Sequence, residues 1–334
     1  MQRIISGYQP TGQLHIGNYL GAIQKTLSYQ DDPNNDCFFM IVDLHAITMP
    51  YKPEDLLHNT RLTAAAFLAC GLDTDKATLF NQSQVRGHSE LNWLFSCIAS
   101  MGWLNRMTQF KEKAGKKREQ ASLGLYAYPV LQAADILVHK CQRVPVGEDQ
   151  RQHLELTRDI AGTFNHTFQE DYFPLPEPDE LGIKVRIMSL RDGTKKMSKS
   201  DESDFSRIHL TDSADDIALK IRKAKTDPDP LPDNMESLED RPEARNLVDI
   251  YASFADMSSE AVCQQFAGKN FSEFKPALSD LLVDKIGHIS AEISKLMKAA
   301  DHLDAILKIG NEKASISADK TVKEVQQLMG FLQT

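Results

Sequence analysis

Arg3-Ile4-Ile5-Ser6-Gly7-Tyr8-Gln9-Pro10-Thr11-Gly12-Gln13-Leu14-His15-Ile16-Gly17-Asn18 is the stretch on which the reading of this chain turns. Residues 3–6 are a short, largely apolar segment that stops at Gly7. Gly12 and Gly17 then punctuate a loop, and Tyr19, Leu20, Ile23 and Leu27 follow at helical spacing, so the order is strand, glycine-rich turn, helix. Glycine lets backbone approach a ligand closely, and the free N–H groups at a helix N-terminus favour an anion such as phosphate. Many strand-to-helix turns use glycine for geometry alone, so this loop leaves both uses open. Neither GxGxxG nor GxxxxGK occurs, which disfavours the dinucleotide fingerprint and the P-loop.

Working outward, residues 37–42 form a nearly continuous apolar run, the mark of a strand buried on both faces of a parallel sheet, with Asp43 and His45 at its end. Pro53 and Gly71 bracket a helix whose stripe is Leu56, Leu57, Ala64, Phe67 and Leu68. Strand character returns at 77–80 and 143–146, and helices are expected over 90–101, 126–139 and from Gly147 to about 164. This alternation predicts an α/β fold, a Rossmann-like doubly wound parallel sheet with its site at the carboxyl ends of the strands. After Ser200 the pattern is helical, at 214–224, 242–254, 274–307 and 322–331. A domain boundary is therefore expected near Ser200, separating a catalytic domain (1–200) with a helical insertion from a smaller, mainly α-helical one (201–334).

The chain's 334 residues exceed what one core usually supports, which agrees with two domains. Apolar content of 41% and charged content of 25% are ordinary for a soluble globular chain. A net charge of -9 argues against a general nucleic-acid coat, and no DNA partner is expected, although a folded RNA remains compatible. Local basic clusters occur at Lys111, Lys113, Lys116, Lys117 and Arg118, at Lys195, Lys196 and Lys199, and at Lys220, Arg222, Lys223 and Lys225. Such clusters are most often solvated faces. Five cysteines without a CxxC pair read as reduced, mostly core thiols. Residues 1–10 lack a signal-peptide pattern and no apolar run approaches the ~20 residues that span a bilayer, so a cytoplasmic address and no membrane partner are expected.

A second loop, Lys195-Lys196-Met197-Ser198-Lys199-Ser200, lies at the expected boundary. Attack on the α-phosphate of ATP builds charge on that phosphate and on departing pyrophosphate, and positioned ammonium and hydroxyl groups stabilise it. Taken together, His15-Ile16-Gly17-Asn18 and Lys196-Met197-Ser198-Lys199-Ser200 resemble the two signatures of class I aminoacyl-tRNA synthetases, in the order and wide separation of that class. The resemblance implies ATP as substrate with Mg²⁺ on its phosphates. It implies ATP contacts at Gln9, Pro10, Thr11, His15, Gly17, Asn18, Gly147, Glu148, Asp149, Ile187, Lys196, Met197, Ser198, Lys199 and Ser200. Lys196, Ser198, Lys199 and Lys113 are the expected catalytic group, and no metal ligand comes from a side chain.

Residues 42–48, 128–137 and 144–150 further resemble the bacterial-type tryptophanyl-tRNA synthetases (tryptophan–tRNA ligases), and this likeness runs from about residue 4 to 200. Indole offers one polar edge, an N–H that only donates, so its pocket needs a buried acceptor. Tyr128, Gln132 and Asp135 fall on one helix face. Asp135 sits among Ala133, Ala134, Ile136 and Leu137, where an unpaired carboxylate costs several kcal/mol, and spacing alone leaves a structural ion pair with Lys or Arg as open as a substrate role. The resemblance implies that Asp135 accepts the indole N–H, that Tyr128 and Gln150 hold the substrate amino group, and that Ile5, His45, Gln132, Val144 and Val146 complete the pocket. Two positions depart from many relatives, Ile5 for phenylalanine and Gln132 for methionine, and His15 replaces the threonine common in this branch. The activity implied is ATP-dependent activation of L-tryptophan to its adenylate, then transfer to tRNA(Trp), by a homodimer whose helical half reads the anticodon. A tyrosine ligase and a non-catalytic, tRNA-binding paralogue are the alternatives.

Overall fold

Alternate residues of the first strands feed two different cores. Ile4, Cys37, Phe39, Ile41, Ala77 and Leu79 are buried in one cluster, while Ile5, Phe38, Met40, Val42, Phe80 and Val144 are buried in another. A strand whose successive side chains point to opposite faces can do this only with packing on both sides. The computed structural model describes residues 1–110, 120–147, 150–180 and 186–333, without the Glu180 side chain. Among the described residues, β1 (Gln2–Tyr8), β2 (Asn35–Ile41), β3 (Ala77–Asn81), β4 (Arg143–Val146) and β5 (Glu177–Glu180) form a parallel sheet of order β3-β2-β1-β4-β5. Ile4 lies opposite Cys37 and Arg143, and Cys37 opposite Ala77. The order switches direction between β1 and β4, where open α/β sheets leave a crevice.

The helices on the sheet are α1, in three pieces (Ile16–Asn18, a π-helical Tyr19–Ile23, and Gln24–Ser28), α2 (Asp43–Ala46), α3 (Pro53–Ala69), α4 (Gly87–Ser96), α5 (Met101–Leu104), α6 (Leu123–Leu137) and α7 (Arg151–Phe168). Strand β5 was not expected from its composition. Its Glu177-Pro178-Asp179-Glu180 has no apolar pattern, and a proline is tolerated there because β5 is an edge strand.

The second half supplies α8 (Ala214–Lys223), α9 (Pro242–Ala255), α10 (Ser259–Gln265), α11 (Phe271–Lys298) and α12 (Ala300–Leu328). The helix expected over 274–307 and the one over 322–331 are instead two long helices that meet at Ala299, whose φ of -102° and ψ of 53° leave the helical region. No glycine or proline marks that break in the sequence. Helix α12 then returns to the sheet. Its Leu303 and Leu307 join one core and its Ala314, Ala318, Val322 and Val325 the other, so it crosses the β3 edge between them. At the crossing stands Gly310, where a Cβ would fall 1.7 Å from the Leu79 carbonyl oxygen. Asn311 Oδ1 accepts the Asn81 N–H at 2.8 Å, and Arg61 on α3 grips Asp304 with two bonds of 2.9 and 2.6 Å. The helices after Ser200 thus do not all gather apart from the sheet. All five cysteines are free, with Cys37, Cys141 and Cys263 buried and Cys97 exposed.

Candidate active site

The carboxyl ends of β1, β2 and β4 open into a cavity of about 760 Å³. Ile5, His45, Tyr128, Gln132, Asp135, Val144, Val146 and Gln150 all line it, together with Gln9 and Gly147. Strands β1 and β4 supply the aliphatic walls at the switch point. Helix α6 supplies Tyr128, Gln132 and Asp135 from one face, as their spacing requires.

Asp135 is buried and, among the described residues, pairs with no Lys or Arg. Its Oδ1 accepts from Gln82 Nε2 at 2.7 Å and from His88 Nδ1 at 2.8 Å, and its Oδ2 accepts from His45 Nε2 at 2.7 Å. The expected alternative of a Lys or Arg ion pair is therefore replaced by imidazole and amide donors. Gln82 is oriented in turn, since its Oε1 accepts the Leu44 N–H at 3.1 Å. Burial pushes the Asp135 carboxyl upward, but the bonds from His45 and His88 outweigh it and hold the group well below the usual carboxylate range. A carboxylate offers about four acceptor positions. Three are filled, and the open one is on Oδ2, in a side chain that lines the cavity.

At the other end, Tyr128 Oη donates to Gln109 Oε1 at 2.9 Å and meets His153 Nε2 at 3.2 Å. His153 Nδ1 donates to Gln150 Oε1 at 3.0 Å, and Gln132 Nε2 donates to the same oxygen at 3.3 Å. Buried His153 thus ties together Tyr128, Gln132 and Gln150. Sequence reasoning missed His153, Gln82 and His88. The signals were present: Gln82 follows the end of β3, His88 lies three residues before Leu91 on the face of α4 that carries Leu91, Leu94 and Phe95, and His153 lies three residues from Gln150 on one face of α7.

The two loops touch. Lys199 Nζ donates to the Thr11 carbonyl at 3.0 Å, and a Cβ on Gly17 would lie 3.6 Å from Met197 Cβ. Gly12 turns the first loop with φ of +72°, a left-handed conformation that suits glycine. Asn18 Oδ1 accepts the His15 N–H at 3.1 Å. Buried His15 is lowered to about 3, by burial first and then by the positive field of Lys199, His209, Arg207 and Lys196, so it stands neutral. Pro10 is buried, Thr11 and Lys196 are exposed, and Met197 and Ile187 are buried, with Met197 N–H donating to the Ile187 carbonyl at 3.1 Å. Ser198 and Ser200 share a hydroxyl hydrogen bond of 2.9 Å. Arg207, also missed, clasps this loop by donating from Nη1 to the carbonyls of Asp201 at 2.9 Å, Ser203 at 3.3 Å and Ser198 at 3.4 Å. The expected contacts Lys113, Glu148 and Asp149 lie outside the described residues.

Burial lowers Lys199 to about 8, and among the described residues neither it nor Lys196 sits in an ion pair. An anion beside Lys199 would restore its charge. Affinity for ATP is accordingly expected to fall as pH rises through about 8, because the free site then loses its ammonium. The ATP KM measured from about pH 7 to 9.5 reads this. Lys199→Arg, which keeps its charge, should flatten the rise, and an identical profile in both proteins would remove Lys199 from the nucleotide site.

A family model described as "tRNA synthetases class I (W and Y)" matches residues 1–284. The tryptophan–tRNA ligase of Rhizobium meliloti is 55% identical over 349 aligned residues, covering 99% of this chain and 98% of that one. That of Caulobacter vibrioides is 55% identical over 330, covering 98% and 95%. Among solved structures, the tryptophanyl-tRNA synthetase from Campylobacter jejuni complexed with ADP and tryptophan is 33% identical with a TM-score of 0.86, covering 99% of this chain and all of that one (100%).

Proposed function

The chain belongs to the class I tRNA synthetases of the tryptophan and tyrosine family, and from that premise we infer an ATP-dependent ligase that activates L-tryptophan and charges tRNA with it. The observation that carries the substrate is the buried carboxylate of Asp135, with one acceptor position open in a cavity walled by Ile5, Val144 and Val146. Indole brings one N–H donor and an apolar body. A phenol would ask this site to donate as well as accept, which favours tryptophan over the tyrosine alternative. The intact lysine loop favours turnover over a purely binding paralogue.

In this reading the tryptophan ring rests in the cavity with its N–H on Asp135, and Tyr128 and Gln150 receive its ammonium group. A substrate carboxylate oxygen attacks the α-phosphorus of ATP in line. That O–P bond forms as the bond to pyrophosphate breaks, and no covalent enzyme intermediate is needed. Gln9, Pro10, Thr11, His15, Gly17, Asn18, Gly147 and Ile187 frame the nucleotide, with Glu148 and Asp149 on its ribose. Lys196, Ser198 and Lys199 follow the pyrophosphate, and Lys113 adds a phosphate contact. The loops present the ammonium groups of Lys196 and Lys199 to a triphosphate. Mg²⁺, when bound with ATP, would share with Lys196 and Lys199 the neutralisation of charge on the phosphates.

Residues 1–200 are the proposed catalytic unit, and 201–334 the unit that reads tRNA(Trp), whose terminal 2′-hydroxyl takes the amino acid. A homodimer is the proposed assembly, supported by Trp93, Met101 and Leu123, large apolar side chains left exposed on the catalytic half. The cytoplasm is the proposed compartment. Among the described residues no helix is long and apolar enough to cross a membrane. The test is amino-acid-dependent ATP–pyrophosphate exchange across the twenty amino acids. Exchange with tryptophan is expected, and exchange with tyrosine alone, or with none, would overturn the reading.

A further inference from the structure

Behind Asp135, and outside the cavity lining, lies a chain of buried imidazoles. His88 is wholly buried and reaches Asp135 Oδ1 through Nδ1 at 2.8 Å. Carboxylate oxygen only accepts, so His88 Nδ1 carries a proton. The opposite nitrogen, Nε2, meets His139 Nε2 at 3.3 Å, and one proton must lie between those two nitrogens. Burial, above all, holds His139 well below the ordinary histidine range, so it is neutral. With its proton on Nε2, it donates to His88 and leaves its Nδ1 bare, and that buried atom has no partner among the described residues. This arrangement fixes His88 in the tautomer that donates to Asp135. Aromatic neighbours fix the ring planes as well. Phe80 stacks on His88 with centroids 5.7 Å apart and Phe38 on His139 at 4.6 Å.

We propose that His88 is a positioning residue for tryptophan selection: by filling Asp135 Oδ1 together with Gln82, it turns the one open acceptor position of Oδ2 toward the substrate cavity. The proposal rests on the reading that Asp135 accepts the indole N–H. His88 does not touch the substrate and acts through Asp135 alone. Without its N–H, Oδ1 has a vacant acceptor position, the carboxylate can swing about its terminal torsion, and one of the two imidazoles that oppose the effect of burial on its ionisation is lost. The charged or titratable groups facing Asp135 are His45 from α2 and His88 from α4, with His139 and Arg3 behind them.

The test is tryptophan-dependent ATP–pyrophosphate exchange with three variants of His88. His88→Leu is expected to raise the tryptophan KM roughly 10- to 100-fold, the scale of a lost hydrogen bond to a charged group, with kcat and the ATP KM within about 2-fold. In the same variant the acid limb of tryptophan binding should lie at higher pH than in the unsubstituted protein, because one of the two imidazoles that hold the Asp135 carboxyl low is gone. His88→Asn places an amide N–H near the Nδ1 position and should bring the tryptophan KM back to within about 3-fold. Selection for tryptophan over the analogue with sulfur in place of the indole N–H should collapse in His88→Leu and survive in His88→Asn. A folded His88→Leu protein in which both KM values move together, or neither moves, overturns the proposal. If that variant does not fold, His88→Gln, whose amide is displaced by one methylene, is read by the same split and the same rule. Asp135→Asn is run alongside. An unchanged tryptophan KM there overturns the underlying reading, whereas a changed one beside unaffected His88 variants overturns the role of His88 alone.

Discussion

Asp135→Asn is expected to lower kcat/KM for tryptophan by roughly 100- to 1000-fold, about 3 to 4 kcal/mol, while ATP binding stays within a small factor. The size follows from which atoms can adapt. An amide has one acceptor and one donor end where the carboxylate had two acceptors. With its oxygen kept toward Gln82 Nε2 and His88 Nδ1, its NH₂ faces His45 Nε2 and the indole position. His45 can shift its proton to Nδ1 and accept. Indole cannot, because its nitrogen lone pair belongs to the ring, so substrate meets donor against donor. Exchange at varied tryptophan and varied ATP separates the two effects. Unchanged tryptophan kinetics would take Asp135 out of the site.

Gly310→Ala is expected to destabilise the fold by about 3 kcal/mol or more, beyond ordinary overpacking, because the new methyl meets backbone and cannot be accommodated by a rotamer change. The ideal Cβ lies 1.7 Å from the Leu79 carbonyl oxygen and 2.7 Å from its carbon. Helix α12 must therefore lift off β3, loosening the Asn311–Asn81 bond and the Arg61–Asp304 pair beside it. For a chain of this length the shift in Tm is roughly 4 °C. Gly162→Ala on α7 is the control. Its Cβ would meet nothing within 4 Å, so a neutral to slightly stabilising change is expected there. Equal Tm values for the two variants would refute the account of the close approach.

What the sequence disclosed followed from strong local signals. The apolar run at 37–42, the strand character of 143–146 and the turn from β1 into α1 located three strands, while the order that places the switch between β1 and β4 came from the fold. The eight residues that resemblance assigned to a tryptophan pocket converge on one cavity, because strand ends and one face of α6 are where such a sheet can bring them. What stayed hidden was carried by long-range partners. Strand β5 is polar and exists only because β4 pairs with it. The break at Ala299 has no glycine or proline. Gln82, His88 and His153 stand far in sequence from Asp135 or carry no motif of their own, and Arg207 looked like one more surface cation until its guanidinium was seen to hold three loop carbonyls.

Helix α12 also sets a timetable. The bond from Asn81 to Asn311 spans 230 residues and the pair from Arg61 to Asp304 spans 243. On a ribosome adding roughly 5 to 20 residues per second, β3 is made tens of seconds or at least about ten seconds before the helix that seals its outer edge. During that interval the edge of β3 is a bare template for another strand, the situation in which nascent chains pair wrongly or recruit chaperones. Translation speed and chaperone supply, rather than the equilibrium strength of the finished fold, should then govern how much active enzyme a cell obtains from each message.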